Sequence, residues 1–241
     1  MSTPTAAPWR PTAVQEAVGL WGLGFLTIIL AFLLFGGGGA PKLVATVGFL
    51  YLPLIAMRWR GEDYRDYGLS LRHWRQDVRL FLGMSAVVFP LFFGAFALWA
   101  EVLALLPPEL SRVVAPFSGQ AHFSPRLPAR FGEWVVDQLF VVALPEEFFY
   151  RGYLQARLRD AWPQGRRFLG VRLGPAFWVT AVLFALGHLA IFQVWRLAVF
   201  FPALLFGWMR ERTGTVVGCT LFHAAANLYV RFLEVSFFGG P

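Results

Sequence analysis

The chain alternates apolar stretches close to twenty residues long with short arginine-rich segments, and few folds accept that pattern. A helix needs about 20 apolar residues to cross a hydrocarbon core about 30 Å thick. Lipid offers no partner for backbone N–H and C=O groups, so a helix that bonds within itself is the natural spanning element. The composition agrees. Of 241 residues, 57% are hydrophobic and 15% are charged, against about 25% charged in a soluble domain. The mean hydropathy is +0.57. The expected fold class is all-α, a polytopic membrane helical bundle of about seven transmembrane helices.

The expected spans are Glu16 to Phe35, Lys42 to Met57, Leu80 to Leu106, Phe131 to about Asp160, Gly174 to Val194, Leu197 to Met209 and Thr215 to Leu233. Pro90 is an expected kink in the third, and Pro202 interrupts the sixth. Residues 1–13 read as a cytoplasmic tail, 14–130 as the N-terminal helices and loops, and 131–241 as the C-terminal helical core of one membrane domain. The proline-rich segment 107–130 reads as an external loop with a short interfacial helix. The first apolar run is too long for a cleavable signal core. Gly36 to Gly39 form a turn between spans, because the Gly-Lys-Ser/Thr ending of a phosphate loop is missing.

The net charge is +7, and Lys42 is the only lysine. The cations cluster in loops, from Arg58 to Arg79, in a second basic loop holding Arg151, Arg157, Arg159, Arg166, Arg167 and Arg172, and at Arg210 and Arg212. This is the distribution the positive-inside rule expects, so the basic balance reports topology rather than nucleic acid. It puts the N-terminus in the cytoplasm of a multi-pass protein of the cell inner membrane, with the lipid bilayer as its first partner. Cys219 is the single cysteine, which excludes an intramolecular disulfide and a cysteine-based metal site.

An ionisable residue inside a span costs about 2.5–3.5 kcal/mol on insertion scales, so it should face the bundle interior and have a partner. Three groups meet this description. In Glu146-Glu147-Phe148-Phe149-Tyr150-Arg151, the adjacent carboxylates point about 100° apart, and Glu147 can pair with Arg151 one turn on. His188 stands in an apolar span. His223 and Asn227, separated by three alanines, share one helix face. Each alone has an ordinary structural reading: a charged helix end, a packing histidine, a polar seam between helices. Together they supply a base to deprotonate water and donors for an oxyanion. The same side chains, Glu146, His188 and His223, could instead hold a divalent metal such as zinc. The His-Glu-x-x-His and Gly-x-Ser-x-Gly patterns are absent.

Glu146-Glu147-x-x-x-Arg151, Phe184-x-x-x-His188 and His223-x-x-x-Asn227, in this order, resemble the CAAX-protease and bacteriocin-processing (CPBP, Abi) family of membrane peptidases. The resemblance covers residues 130–230, and Thr213-Gly214 before the last motif also fits. It implies an intramembrane endopeptidase acting on a membrane-anchored peptide or protein. Glu146 and His188 would activate the water, His223 and Asn227 would form the oxyanion site, and Glu147 and Arg151 would be a supporting pair. It implies a glutamate mechanism without a cofactor, with a zinc enzyme as the alternative. The arginine-rich, lysine-poor usage suggests a bacterium, where leader peptides or C-terminal sorting tails are the expected substrates.

Two other function classes are open. One is a non-enzymatic bacteriocin immunity or membrane scaffold protein on the same fold. The other is a small transporter, against which the missing internal repeat argues. One tension remains at this level. His188 falls roughly 20 Å along the fifth span, whereas Glu146 lies nearer the cytoplasmic end of the fourth.

Overall fold

A computed structural model describes residues 11–115, 117 and 121–239. Most of the expected cytoplasmic tail, and part of the expected external loop, lie outside the described residues. Thr12 starts the first helix, α1 (Ala13–Phe35). Its side chain accepts from the Gln15 backbone while the Gln15 side chain accepts from the Thr12 N–H, so two otherwise orphaned donors are satisfied. Gly36 ends α1 and α2 (Gly39–Arg60) returns beside it, ended by Gly61 in the left-handed region. α3 (Trp74–Leu105) runs unbroken through Pro90. These three helices are long and apolar enough to cross a membrane. On α1, Ala17, Gly24, Ile28 and Ala31 are buried at helical spacing, while Leu23, Leu26, Leu30 and Leu33 stay exposed on the other side. A face of that kind suits lipid tails, not water.

The short helix α4 (Pro108–Val114) follows. Residues 122–126 then run along the end of the last helix, α10 (Val217–Phe238), where His122 and Ser124 donate to the carbonyls of Phe237 and Ser236. Phe93, Phe96, Phe123 and Phe237 pack at this end of the molecule.

The fourth expected span is one helical run. It comprises α5 (Phe131–Val136), a π-helical stretch Asp137–Ala143, α6 (Leu144–Glu147), a second π-helical stretch Phe148–Leu154, and α7 (Gln155–Ala161). The second basic loop is therefore smaller than its charges suggested. Arg151, Arg157 and Arg159 belong to the helix, and Arg151 is fully buried. The run ends at Ala161 because Pro163 disfavours helical geometry at Trp162. The remaining residues form an antiparallel hairpin, β1 (Arg166–Phe168) and β2 (Val171–Leu173), the one departure from an all-α fold among the described residues.

The fifth and sixth spans also differ from expectation. α8 (Pro175–Gly187) stops well before Val194, a length of about 20 Å. Two 3₁₀ turns, His188–Ile191 and Val194–Val199, lead into α9 (Phe200–Thr213). Pro202 sits in the first turn of α9, where a missing N–H has no bond to lose. At the other end of the bundle, Asp77 on the first turn of α3 is fully buried. It accepts from the Thr215 hydroxyl at 2.8 Å and the Gly218 N–H at 3.3 Å, which ties α3 to the start of α10.

Candidate active site

Pro145 shapes the segment that carries the two glutamates. It has no N–H to give the carbonyl of Val141, four residues back. The Thr46 hydroxyl of α2 lies 2.8 Å from that carbonyl and equally far from the Lys42 carbonyl of its own helix, so its one hydrogen is shared between the two and partly replaces the missing donor. π-Helical turns on both sides of α6 widen the helix here, as they do at many functional sites.

Glu147 points into the bundle and is completely buried. Its Oε1 accepts from Arg151 at 3.1 Å and from Nδ1 of His223 at 2.8 Å. Arg151 also donates to the carbonyl of Ala203 at 3.2 Å. Its guanidinium lies 4.1 Å from the Phe184 ring centroid and 5.0 Å from that of Phe206, a cation–π arrangement that offsets part of the cost of burial. Phe206 stacks in turn on the His223 ring, centroids 4.9 Å apart.

Glu146, one residue earlier, faces a different direction. Its Oε2 lies 3.9 Å from Nε2 of His223 and is buried without a hydrogen-bond partner among the described residues. One histidine ring thus has a carboxylate at each nitrogen. Nδ1 is close to a glutamate already held through Oε1 by Arg151, and Nε2 faces one with no hydrogen bond among the described residues.

His188 is the first residue after α8. Its Nδ1 lies 2.9 Å from the Phe184 carbonyl. A carbonyl only accepts, so Nδ1 carries the hydrogen and Nε2 of the neutral ring is left as an acceptor. His188 interacts electrostatically with Glu146 and with His223. The tension over depth is resolved by the fold. Glu146 sits midway between Phe131 and Ala161, not near one end, and His188 is where α8 stops. Asn227, one turn beyond His223, donates from Nδ2 to Oε1 of Gln138 at 2.8 Å.

The structure therefore gathers Glu146, Glu147, Arg151, His188 and His223, and places Asn227 one turn along α10 against Gln138. Among the described residues, no three His, Cys, Asp or Glu side chains are arranged to hold a metal ion. Three supporting residues were missed in the sequence. Gln138 and Thr46 carry no charge and sit in otherwise apolar runs. Asp77 looks like one more charge in a basic loop. Tyr150 completes the setting. A Cβ on Gly187 would lie 2.5 Å from its hydroxyl, so the close approach beside His188 depends on glycine.

Comparisons with curated proteins and with solved structures gave no match. Residues 131–229, which hold all six of the candidate side chains, match the family model described as Rce1-like, type II CAAX prenyl endopeptidase Rce1-like.

Proposed function

We propose that the chain is an intramembrane endopeptidase that hydrolyses a peptide bond of a membrane-associated peptide or protein, using Glu146 and His188 to activate water. The matched family is one of proteases, and three helices are long and apolar enough to span a membrane, which supports the reading of an integral membrane protein. The observation that carries the proposal is the contrast between the two adjacent glutamates. Glu147 is engaged through Oε1 by Arg151 and His223 and keeps only Oε2 unpartnered, whereas Glu146, with His223 and His188 nearby, makes no hydrogen bond among the described residues and keeps a buried Oε2. An unpaired carboxylate at that depth is costly to retain as a packing device.

In this reading Glu146 takes the proton of the water, and Nε2 of His188 accepts its other hydrogen bond. The water oxygen attacks the substrate carbonyl, and the tetrahedral oxyanion receives hydrogen bonds from His223 and from the second Nδ2 hydrogen of Asn227. The intermediate then collapses with cleavage of the C–N bond, and Glu146 returns its proton to the leaving amine. Donation by His223 requires a hydrogen on Nε2 while Nδ1 keeps its own for Glu147. That is the imidazolium form, and the Glu147 carboxylate and the oxyanion counter its charge. Glu147 and Arg151 hold the ring in place. The reaction runs on side chains alone.

The arrangement in the bilayer is part of the same proposal: about seven crossings, with the N-terminus in the cytoplasm of a bacterial inner membrane. Its support is that alternating crossings put the arginine-rich segments 58–79, 157–172 and 210–212 on one side. Substrates in such a cell are leader peptides or C-terminal sorting tails.

The test is cleavage by the purified chain in proteoliposomes carrying a library of membrane-anchored peptides, read by mass spectrometry. Cleavage that survives a strong chelator supports side-chain hydrolysis. Cleavage lost to the chelator and restored by zinc overturns that mechanism.

A further inference from the structure

The hairpin Arg166–Leu173 has no role in the proposed chemistry, yet it breaks two local rules. In its register Arg167 lies directly opposite Arg172, and like charges in that position destabilise a strand pair. Its two-residue turn is Leu169-Gly170, both with positive φ, at 44° and 80°. Such turns favour asparagine, aspartate or glycine at the first position, and leucine is strained there. Residues held in sparsely populated conformations point to a use that outweighs the strain.

The surroundings say what the use is. Arg166, Arg167 and Arg172 are exposed, and so is Arg212, whose guanidinium lies under Gly170. Among the described residues, none of these four makes an ion pair or a side-chain hydrogen bond, and no acidic residue occurs between Ala161 and Pro175. At the tip, Phe168 and Leu169 are 58% and 68% exposed. Trp162 follows the end of α7 and the exposed Trp178 lies in the first turn of α8, the position of aromatic residues at a membrane surface. An open recess of about 430 Å³ beside Trp178 is also lined by Gln164, Arg166 and Gly174.

We infer that this hairpin is a binding site for anionic phospholipid headgroups, with Leu169 and Phe168 entering the headgroup–acyl boundary and the four arginines holding the phosphates. The occupant follows from the charge and the place. The hairpin joins the charged end of the helical run Phe131–Ala161 to the apolar helix α8, the place where a membrane surface lies, so the nearest anionic surface is the bilayer itself, and a phosphate between Arg167 and Arg172 turns their repulsion into a shared contact. The site is independent of the peptidase reading, since none of its residues touches the glutamates or histidines.

The test uses the full chain in nanodiscs of phosphatidylcholine with or without phosphatidylglycerol, followed by native mass spectrometry of the lipids it retains. The wild type retains phosphatidylglycerol over phosphatidylcholine, and Arg167→Gln with Arg172→Gln lowers that preference about tenfold or more. Equal retention by wild type and double variant overturns the inference, as does displacement of the lipid by the same concentration of inorganic phosphate. A second readout does not depend on the arginines. Cys219 is buried, so Leu169→Cys offers one reactive thiol for an environment-sensitive dye. Quenching of that dye by brominated lipid supports the inference, and a dye that stays in water overturns it.

Discussion

Nδ1 of His223 and the guanidinium of Arg151 share one oxygen, Oε1 of Glu147, at 2.8 and 3.1 Å. The glutamate and the arginine of this trio have fully buried side chains. Glu147 is therefore expected to act through the fold. Breaking a buried pair leaves an uncompensated charge and costs about 3–5 kcal/mol. Glu147→Ala should lower the thermal unfolding temperature in detergent markedly, and Glu147→Ala combined with Arg151→Met should recover much of the loss. A single variant as stable as wild type would contradict the pairing.

Asn227 and Gln138 separate direct contact from positioning. Asn227→Ala removes an oxyanion donor and should lower kcat by about 10²–10³. Gln138→Leu leaves Asn227 in place but frees its amide to rotate, so a smaller loss in kcat is expected with KM little changed. The two variants are compared by steady-state cleavage of one peptide, and equal losses would place both residues in the same role.

Gly187 sets the spacing next to His188. Because a Cβ there would meet the Tyr150 hydroxyl at 2.5 Å, Gly187→Ala must displace either the tyrosine or the end of α8. Activity should fall while the helical content by circular dichroism is unchanged. Gly187→Ala combined with Tyr150→Phe removes the clashing oxygen and should restore part of it.

The loop between α2 and α3 carries a pH-sensitive contact. Hydrogen bonding from Arg60 holds the Glu62 carboxyl below its usual 4.5, against some burial, and the Tyr67 hydroxyl adds to the effect. Burial, with the bond to Glu62, pushes the Tyr67 phenol up to about 12. A lowered carboxyl pKa contributes stability that is fully present above 4.5 and is lost as pH falls through the lower folded value. Unfolding temperature should therefore decline on acidification below pH 4.5, and Glu62→Gln should lessen that decline.

The sequence made the chemistry more legible than the architecture. Glu146, His188, His223 and Asn227 stood out because polar groups are expensive in apolar helices, and the cost is visible one residue at a time. The ends of α8 and α9 were not visible, because His188 to Val199 is as apolar as the helices it joins. Its 3₁₀ geometry rests on tertiary contacts, among them the packing of Phe192 on Phe32 of α1. The hairpin was hidden for a different reason: Leu169-Gly170 carries half of the usual turn signal. Arg151 was assigned both to a pair with Glu147 and to a basic loop, and burial decides for the pair.

The central claim, that Glu146 is the catalytic base of a membrane peptidase, is tested most directly in cells lacking this chain. Wild type and Glu146→Ala are expressed at equal abundance in the membrane, and the N- and C-terminal peptides of membrane-anchored proteins are compared by mass spectrometry. Processed termini present with wild type and lost with Glu146→Ala are the predicted result, and they name the substrate. Identical profiles from the two proteins would contradict the peptidase assignment and favour a non-enzymatic role for the same fold.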